Sequence, residues 1–535
     1  MLRRLSFPQC TAVCRTRLSS SVPSTSQEES SEFNKTVANG VAHVTSLNVL
    51  TQERSVLRLR VPKIERTRRF RREFALPECA VAGLRNALIS CDRSPKQLQH
   101  EADQLSNVLA QRRFPAPPSV VREARNKIKE VLRKQQNEED IGDLVDSDSD
   151  SRINYKLRNE VDKILKKSNF NWKPLDIDTK EAAAAYALSR LAPNYAEIAR
   201  VLEEIDAEEF SPSTVLDYGS GIGAGFWAVN EKFGSKVKDY CMVDPSENMI
   251  QFSMDIMRGG SGNLLFRNVT FRRHLTPSLR TKYDLVIAHR TLCELGSQES
   301  RLDLVASLWK RTNKYLVLID SNLRDAFEAL MEARDFLLCS GTQLHLEETR
   351  SLLEEKQLMS DSIEAVLSDR TLSDFERFCL VRDMVPHEIT LPTALEPATV
   401  FAPCPHDLGC PKLGISACTF PIRWNVIRAD GKRSPRENSG SETGKFSFII
   451  IEKGVRQPQE SMARILKIRR SNGHVTCDLC TAFKGLQRIA VSRRAGDLYQ
   501  RARSRRDGEL LPLTIDTVAT ENMFDLCSEK IAETQ

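Results

Sequence analysis

Between Val215 and Gly223 the chain reads VLDYGSGIG, an apolar run that opens into D-x-G-x-G-x-G. Glycines at that spacing let a chain turn sharply at a strand end and bring bare backbone against a ligand. A helix starting there directs free N–H groups at the same point, and an acid ending the next strand suits the hydroxyls of a ribose. Asp244, in MVDPS, stands in that place, 27 residues after Asp217. Asp217, Gly219, Gly221, Gly223 and Asp244 therefore predict an adenosyl-cofactor site. The spacing favours S-adenosylmethionine over NAD, whose fingerprint is G-x-G-x-x-G.

Methyl transfer also needs an acceptor held in line and often a base or polar clamp. The strand end that would carry it reads His289-Arg290-Thr291-Leu292-Cys293-Glu294-Leu295. It has neither the Asn/Asp-Pro-Pro-aromatic clamp of amino-methylating enzymes nor the Pro-Cys or Thr-Cys pair of cytosine-C5 enzymes. A lone His289 at a strand end is more often structural than basic, so no catalytic residue is assigned.

A second constellation is built of sulfur. Cys404, Cys410 and Cys418 follow C-x5-C-x7-C, and Cys477-x2-Cys480 comes later, so five of the fourteen cysteines fall within 77 residues. Pro403, Pro405, Gly409, Pro411 and Gly414 make the first part a loop able to wrap a metal centre. The spacing is not that of a zinc ribbon. Four thiolates suit a cubane 4Fe-4S cluster, zinc remains open, and so do buried unliganded thiols. Spacing does not choose between Cys477 and Cys480 as the fourth.

The elements that must position these groups are legible in outline. Thr214–Tyr218, Asp239–Val243, Asp284–Ala288 and Tyr315–Ile319 are short apolar, β-branched runs, with helical patterns at Ser246–Met257, Ser300–Thr312 and Arg324–Leu338 between them. That alternation predicts a doubly wound α/β sheet of parallel strands, completed by a late strand at 445–451. Residues 342–390 read as a helical insertion. Val81–Ser90, Pro95–Arg112 and Val120–Gln135 read as N-terminal helices, and helical patterns resume at Tyr155–Lys167 and Glu181–Leu191.

The 535 residues suggest two to four domains. The expected division is a leader (1–27), a basic and helical region (28–180) with an acidic linker (138–151), and the sheet domain with its insertion (181–400). A cysteine region (401–482) and a basic C-terminal tail (483–535) follow. No apolar run approaches the ~18 residues a membrane span needs. Residues 1–27 hold four arginines, six serines and no acid, the composition of a mitochondrial transit peptide. The expected compartment is the matrix, whose reducing chemistry disfavours a disulfide framework.

Net charge is +6, unevenly spread. Residues 54–72 hold eight arginines and Lys63 against Glu65; residues 464–506 hold twelve Lys or Arg against Asp478 and Asp497; residues 138–150 hold seven acids and no base. Two strong basic blocks point to a polyanionic partner, most simply nucleic acid.

Several pieces coincide with one family. Tyr186-x3-Arg190…Pro193-x-Tyr195-Ala196, VLDYGSGIGAG, VDPSENM, AHRTLCEL followed by Leu308-Trp309, CPHDLGCPKL…CTF, KFSFIIIEKG, ARILKIRRSNGHVTCDLC and a later Tyr499 together resemble the methyltransferase-like protein 17 family, over roughly residues 180–512. The resemblance implies a class I methyltransferase-like (Rossmann-like) fold, a 4Fe-4S cluster, and a mitochondrial assembly factor, a monomer, bound to small-subunit rRNA and ribosomal proteins. It also implies Cys404, Cys410 and Cys418 as cluster ligands, with Cys480 in the fourth place and Cys477 as its substitute. Asp320-Ser321-Asn322 stands where the family has a Glu-Pro-Gly-like turn, and Asp507-Gly508-Glu509 where it has Trp-Gly-Asp. The alternative expectation is an active S-adenosylmethionine-dependent rRNA methyltransferase.

Overall fold

The computed structural model describes residues 44–49, 57–60, 69–112, 118–139, 157–161, 163–164, 174–259, 263–386, 388–432, 440–456, 462–482 and 485–517. The expected leader (1–27), most of the expected acidic linker (138–151) and the last eighteen residues lie outside them.

The N-terminal region contributes β1 (Val44–Val49), β2 (Leu57–Arg60), β3 (Glu73–Phe74), α1 (Glu78–Ile89), α2 (Pro95–Gln111) and α3 (Pro118–Glu139). The three helices fall where the apolar spacing predicts them. α2 opens on a capping box between Ser94 and Gln97, with Pro95 at its first position, which satisfies end N–H groups and pre-sets φ. Next, α4 (Lys180–Leu202) runs beyond Leu191, straight through Pro193. An interior proline costs about 3 kcal/mol; every residue from Leu191 to Leu202 is buried, and that packing outweighs it.

The alternating part follows as β4 (Thr214–Tyr218), α5 (Ala224–Phe233), β5 (Asp239–Val243), α6 (Glu247–Arg258), β6 (Val269–Arg272), β7 (Tyr283–His289), α7 (Gln298–Lys310), β8 (Thr312–Ser321) and α8 (Arg324–Thr342). In the predicted helical insertion stand α9 (Leu346–Glu355), α10 (Asp361–Ser368) and α11 (Asp374–Met384), around their own small core that includes Leu353, Ile363, Phe378 and Val381. The chain returns through β9 (Ala398–Ala402), β10 (Phe420–Asn425), β11 (Ser441–Lys453), β12 (Ala463–Arg470), β13 (His474–Thr481), β14 (Gly485–Ser492), α12 (Asp497–Ser504), β15 (Leu510–Leu511) and β16 (Thr514–Thr517).

The main sheet has the order β3-β10-β11-β8-β7-β4-β5-β6, with β9 paired to the far half of β11. β6, β5, β4, β7 and β8 are parallel, and β11 runs antiparallel to both β8 and β10. This mixed order is that of a class I methyltransferase-like sheet. The sequence pattern does not announce β6 or β10; β10 lies inside the stretch read only as a cysteine region, six residues long and half exposed. Val215 joins the core on one face of the sheet and Leu216 the core on the other, as expected of parallel strands covered on both sides. The winding reverses at β4, so the crevice beyond β4 and β7 is where ligands bind in such sheets. A second sheet, β1-β14-β13-β12-β15, and the pair β2–β16 take up the basic tail.

α1 packs so closely on α6 that a Cβ on Gly83 would lie 2.0 Å from the Ile256 carbonyl oxygen. Gly→Ala within a helix ordinarily stabilises by up to about 1 kcal/mol. Here overpacking, about 1–3 kcal/mol, wins, so Gly83→Ala is expected to lower the urea midpoint.

Candidate functional sites: the glycine turn and the thiol recess

β4 ends in a turn whose three glycines all take positive φ: 70° at Gly219, 52° at Gly221 and 84° at Gly223. The turn is tied to the next strand, because the Gly219 and Ser220 N–H groups both donate to the Val243 carbonyl, at 2.8 and 3.1 Å. The glycines face different ways. A Cβ on Gly219 would meet Thr291 Oγ1 at 2.4 Å and one on Gly223 would meet Ser253 Oγ at 2.7 Å, whereas nothing lies within 4 Å of one on Gly221. Gly221 thus presents an open face. Gly223 caps α5 with no side-chain acceptor, which leaves helix N–H groups free for an anion or polar ligand.

The two acids differ. Asp244, 9% exposed, accepts the Gly221 N–H at 2.8 Å and the Ser246 N–H at 2.9 Å. Two accepted bonds leave carboxylate lone pairs for ribose hydroxyls. Asp217 is fully buried below the turn, accepting from the Tyr240 hydroxyl at 3.1 Å and crowding the Gly225 backbone. Burial pushes its carboxyl up to about 7, against the Tyr240 hydrogen bond. Ser220 Oγ is buried without a hydrogen-bond partner, an orphaned polar atom inside the turn. The residues present fit an adenosyl cofactor.

Beside this turn, past the ends of β7 and β8, is a cleft of about 450 Å³ lined in part by Arg112, Arg190, Arg290, Glu294 and Asp320. Arg290 holds φ 54°, a strained conformation for a long side chain, and donates to Glu197 at 2.7 Å. His289 Nε2 donates to the same carboxylate at 2.8 Å. Burial would push Glu197 up, but Arg290 and His289 outweigh it and bring it down to about 2. His289 is buried and engaged, as the structural reading of a lone strand-end histidine expects. Asp320 is buried with Oδ2 unpartnered, and burial pushes it up to about 7 against the pull of Arg290. Glu197 carries no sequence signal, since its role exists only once α4 lies across β7.

The four cysteines lie along the far side of the sheet's β9–β11 end. Cys404 follows β9, Cys418 precedes β10, Cys410 sits in the loop between, and Cys480 comes from β13. All four line one recess with Pro403, Pro411, Leu466, Leu486, Lys412 and Arg464. Cys477 does not line it; three residues before Cys480 on a strand, it faces the other side. Cys480 beside it holds the Cys404 thiol below its ordinary value against burial, while Cys404 and burial together push Cys480 up. Burial raises Cys418 to about 12. His406, unforeseen from sequence, places Nε2 3.3 Å from Cys480 Sγ.

The donor set, four thiols in a largely apolar shell with two nearby cations, fits a four-thiolate group in number and chemistry. All four line the same recess, yet among the described residues no group of three or more His, Cys, Asp or Glu side chains is set to hold a metal ion.

Residues 180–349 and 366–512 match the family described as mitochondrial small ribosomal subunit Rsm22. The human mitochondrial ribosome assembly protein METTL17 is 30% identical over 370 residues, 68% of this chain and 69% of that one. A mitochondrial Rsm22-cox11 tandem protein of Schizosaccharomyces pombe is 23% identical, over 63% of this chain and 44% of its own length. Among solved structures, the magnesium protoporphyrin IX methyltransferase of Synechocystis overlaps 33% of this chain and 84% of that one, at 15% identity and a TM-score of 0.21. The fold is carried by the strand order, not by that superposition.

Proposed function

The chain belongs to the mitochondrial small ribosomal subunit Rsm22 family, and from that membership we propose a mitochondrial assembly factor for the small ribosomal subunit. It works in the matrix as a monomer on the assembling subunit, held to small-subunit rRNA and ribosomal proteins. S-adenosylmethionine binds at Gly219, Gly221, Gly223 and Asp244, with Asp217 bracing the turn from below. A 4Fe-4S cluster is held by Cys404, Cys410, Cys418 and Cys480. The observation that carries this reading is the family match, which spans both the glycine turn and all four cysteines. Among the described residues no helix is long and apolar enough to cross a membrane, in keeping with a partner reached from solution.

The experiment is sedimentation of the tagged protein from mitochondrial extract. Co-migration with small-subunit precursors, lost as salt is raised, is expected from phosphate contacts; a protein that stays at the top of the gradient overturns the reading. Cofactor binding has its own test. Gly221→Asn costs about 1 kcal/mol of backbone strain but fills the open face, so calorimetry is expected to show S-adenosylmethionine affinity falling at least roughly tenfold, ~1.4 kcal/mol. Unchanged affinity would remove the glycine turn as its site.

A second reading, an active rRNA methyltransferase, is favoured by the cleft of about 450 Å³ beside the turn. Bound S-adenosylmethionine supplies the methyl group, and the strained Arg290 and the buried Asp320 are the groups this chain would bring to an acceptor. Transfer of labelled methyl to small-subunit rRNA separates the two readings.

A further inference from the structure

The two basic blocks stand some four hundred residues apart in sequence, yet they meet in space. β2, within the first block, pairs with β16, and β1 adds to the edge of β14, so the N-terminal segment is clipped onto the C-terminal sheet. Where they meet is an open recess of about 420 Å³ whose lining includes Arg71, Arg72, Arg200, Arg423, Arg470 and Arg506 against only Asp507 and Glu509. The acids are tied to backbone: Asp507 accepts the Ile468 N–H at 2.8 Å and Glu509 the Arg506 N–H at 3.1 Å. Arg71 is neutralised by Glu203 and Glu231, Arg200 shares Glu204 with Arg464, and Arg423 donates to Ser441 Oγ and faces Glu73 at 4.0 Å. Arg470 spends its donors on the Arg503 and Arg505 carbonyls. Among the described residues the guanidiniums of Arg72 and Arg506 make no hydrogen bond or ion pair.

We propose that this recess seats the phosphodiester backbone of RNA, a role that deepens, and rests on, the RNA-binding reading above. Like charge crowded at one place repels itself until an anion enters, and planar guanidiniums match phosphate oxygens two bonds at a time. Phe70, the lining aromatic, is buried with the Arg200 guanidinium 3.6 Å from its ring centre. No ring is therefore offered for a base to stack on, and the recess reads phosphate, not sequence. A phosphodiester is favoured over an acidic protein segment because the positive field continues past the recess. Arg69 stands near Arg505 and Arg506, whose charge Glu509 offsets in part, and Arg501, paired with Asp497, lies one turn before Arg505. A strand charged at every nucleotide can follow such a track.

The test is filter binding of a labelled small-subunit rRNA fragment to the full-length protein across a salt series. Arg72→Gln with Arg506→Gln is expected to lower affinity roughly tenfold or more and to reduce the log–log salt slope by roughly 0.7 for each phosphate no longer neutralised. Arg72→Lys with Arg506→Lys should recover most of that slope. Arg122→Gln with Lys129→Gln, exposed positions on α3, removes the same charge elsewhere and should leave affinity within about twofold. Thermal unfolding guards against misfolding: relieving crowded charge should leave the midpoint of the recess variant unchanged or higher. The proposal is overturned if the recess variant binds RNA with wild-type affinity and slope, or loses a poly-glutamate probe while keeping RNA. Wild-type protein that binds no RNA overturns the RNA reading itself, and this recess as its seat.

Discussion

Cys418→Ser is expected to yield a colourless, iron-poor protein that unfolds at much lower denaturant than the wild type, whereas Cys477→Ser stays brown. Anaerobically purified wild type should carry about four irons per chain and broad visible absorption if a cubane sits on Cys404, Cys410, Cys418 and Cys480. Those cysteines come from separate stretches: just after β9, the following loop, just before β10 and near the end of β13. A group held by all four joins the main sheet to the C-terminal one, so its binding energy is folding energy. Structural metal sites supply about 10 kcal/mol or more, against a total margin of about 5–15 kcal/mol. Removing one ligand therefore threatens most of that margin. Cys477 is buried in the same strand, and a serine there costs only about 1–3 kcal/mol for a buried hydroxyl. Both variants lose stability; colour and iron separate them. A colourless wild type holding zinc overturns the cluster and keeps a thiolate site, and a metal-free wild type leaves the four as packed thiols.

The glycine turn is legible in the sequence because the signal is local: a buried parallel strand is a continuous apolar run, and Gly219, Gly221 and Gly223 mark the positive-φ positions directly. The choice between Cys477 and Cys480 is not, because it depends on which side of β13 faces the loop after β9. Register decides it. Cys480 lies opposite Arg464 on β12 while Cys477 lies opposite Ile468, so alternate positions of β13 diverge to the thiol recess and the core behind it. The charge blocks are visible as composition, but their meeting is not, since it rests on strand pairings across most of the chain. The true end of α4 is hidden for a related reason: a proline such as Pro193 signals a break only where tertiary burial does not repay its missing hydrogen bond.

Glu204→Gln is expected to cost about 3–5 kcal/mol, the range for removing one partner of a buried ion pair. Glu204 follows α4 and receives Arg464 through both nitrogens at 3.0 Å and Arg200 at 3.0 Å, with all three side chains at most 5% exposed. Arg464 also donates to the Pro403 carbonyl, next to Cys404, and to the Gly508 carbonyl, both at 2.9 Å. Glutamine keeps the shape and leaves two buried cations facing one another; an exposed pair would lose less than about 1 kcal/mol. The pH dependence has a definite sign. Burial raises Glu204, but Arg464 and Arg200 outweigh it and leave the carboxyl below its usual value; Glu197 lies down at about 2 by the same balance. Both therefore stabilise the fold fully above the unfolded carboxyl pKa of about 4.3, and lose that contribution as pH falls toward 2. Glu204→Gln should flatten this acid limb while Glu197 keeps part of it. Arg464 lines the thiol recess and Arg200 the arginine recess, so this one carboxylate joins them. The substitution is expected to lower iron retention and RNA affinity together, though Glu204 lines neither recess. A variant within about 1 kcal/mol of wild type in urea, with iron and RNA binding intact, would show that the triad does not join them.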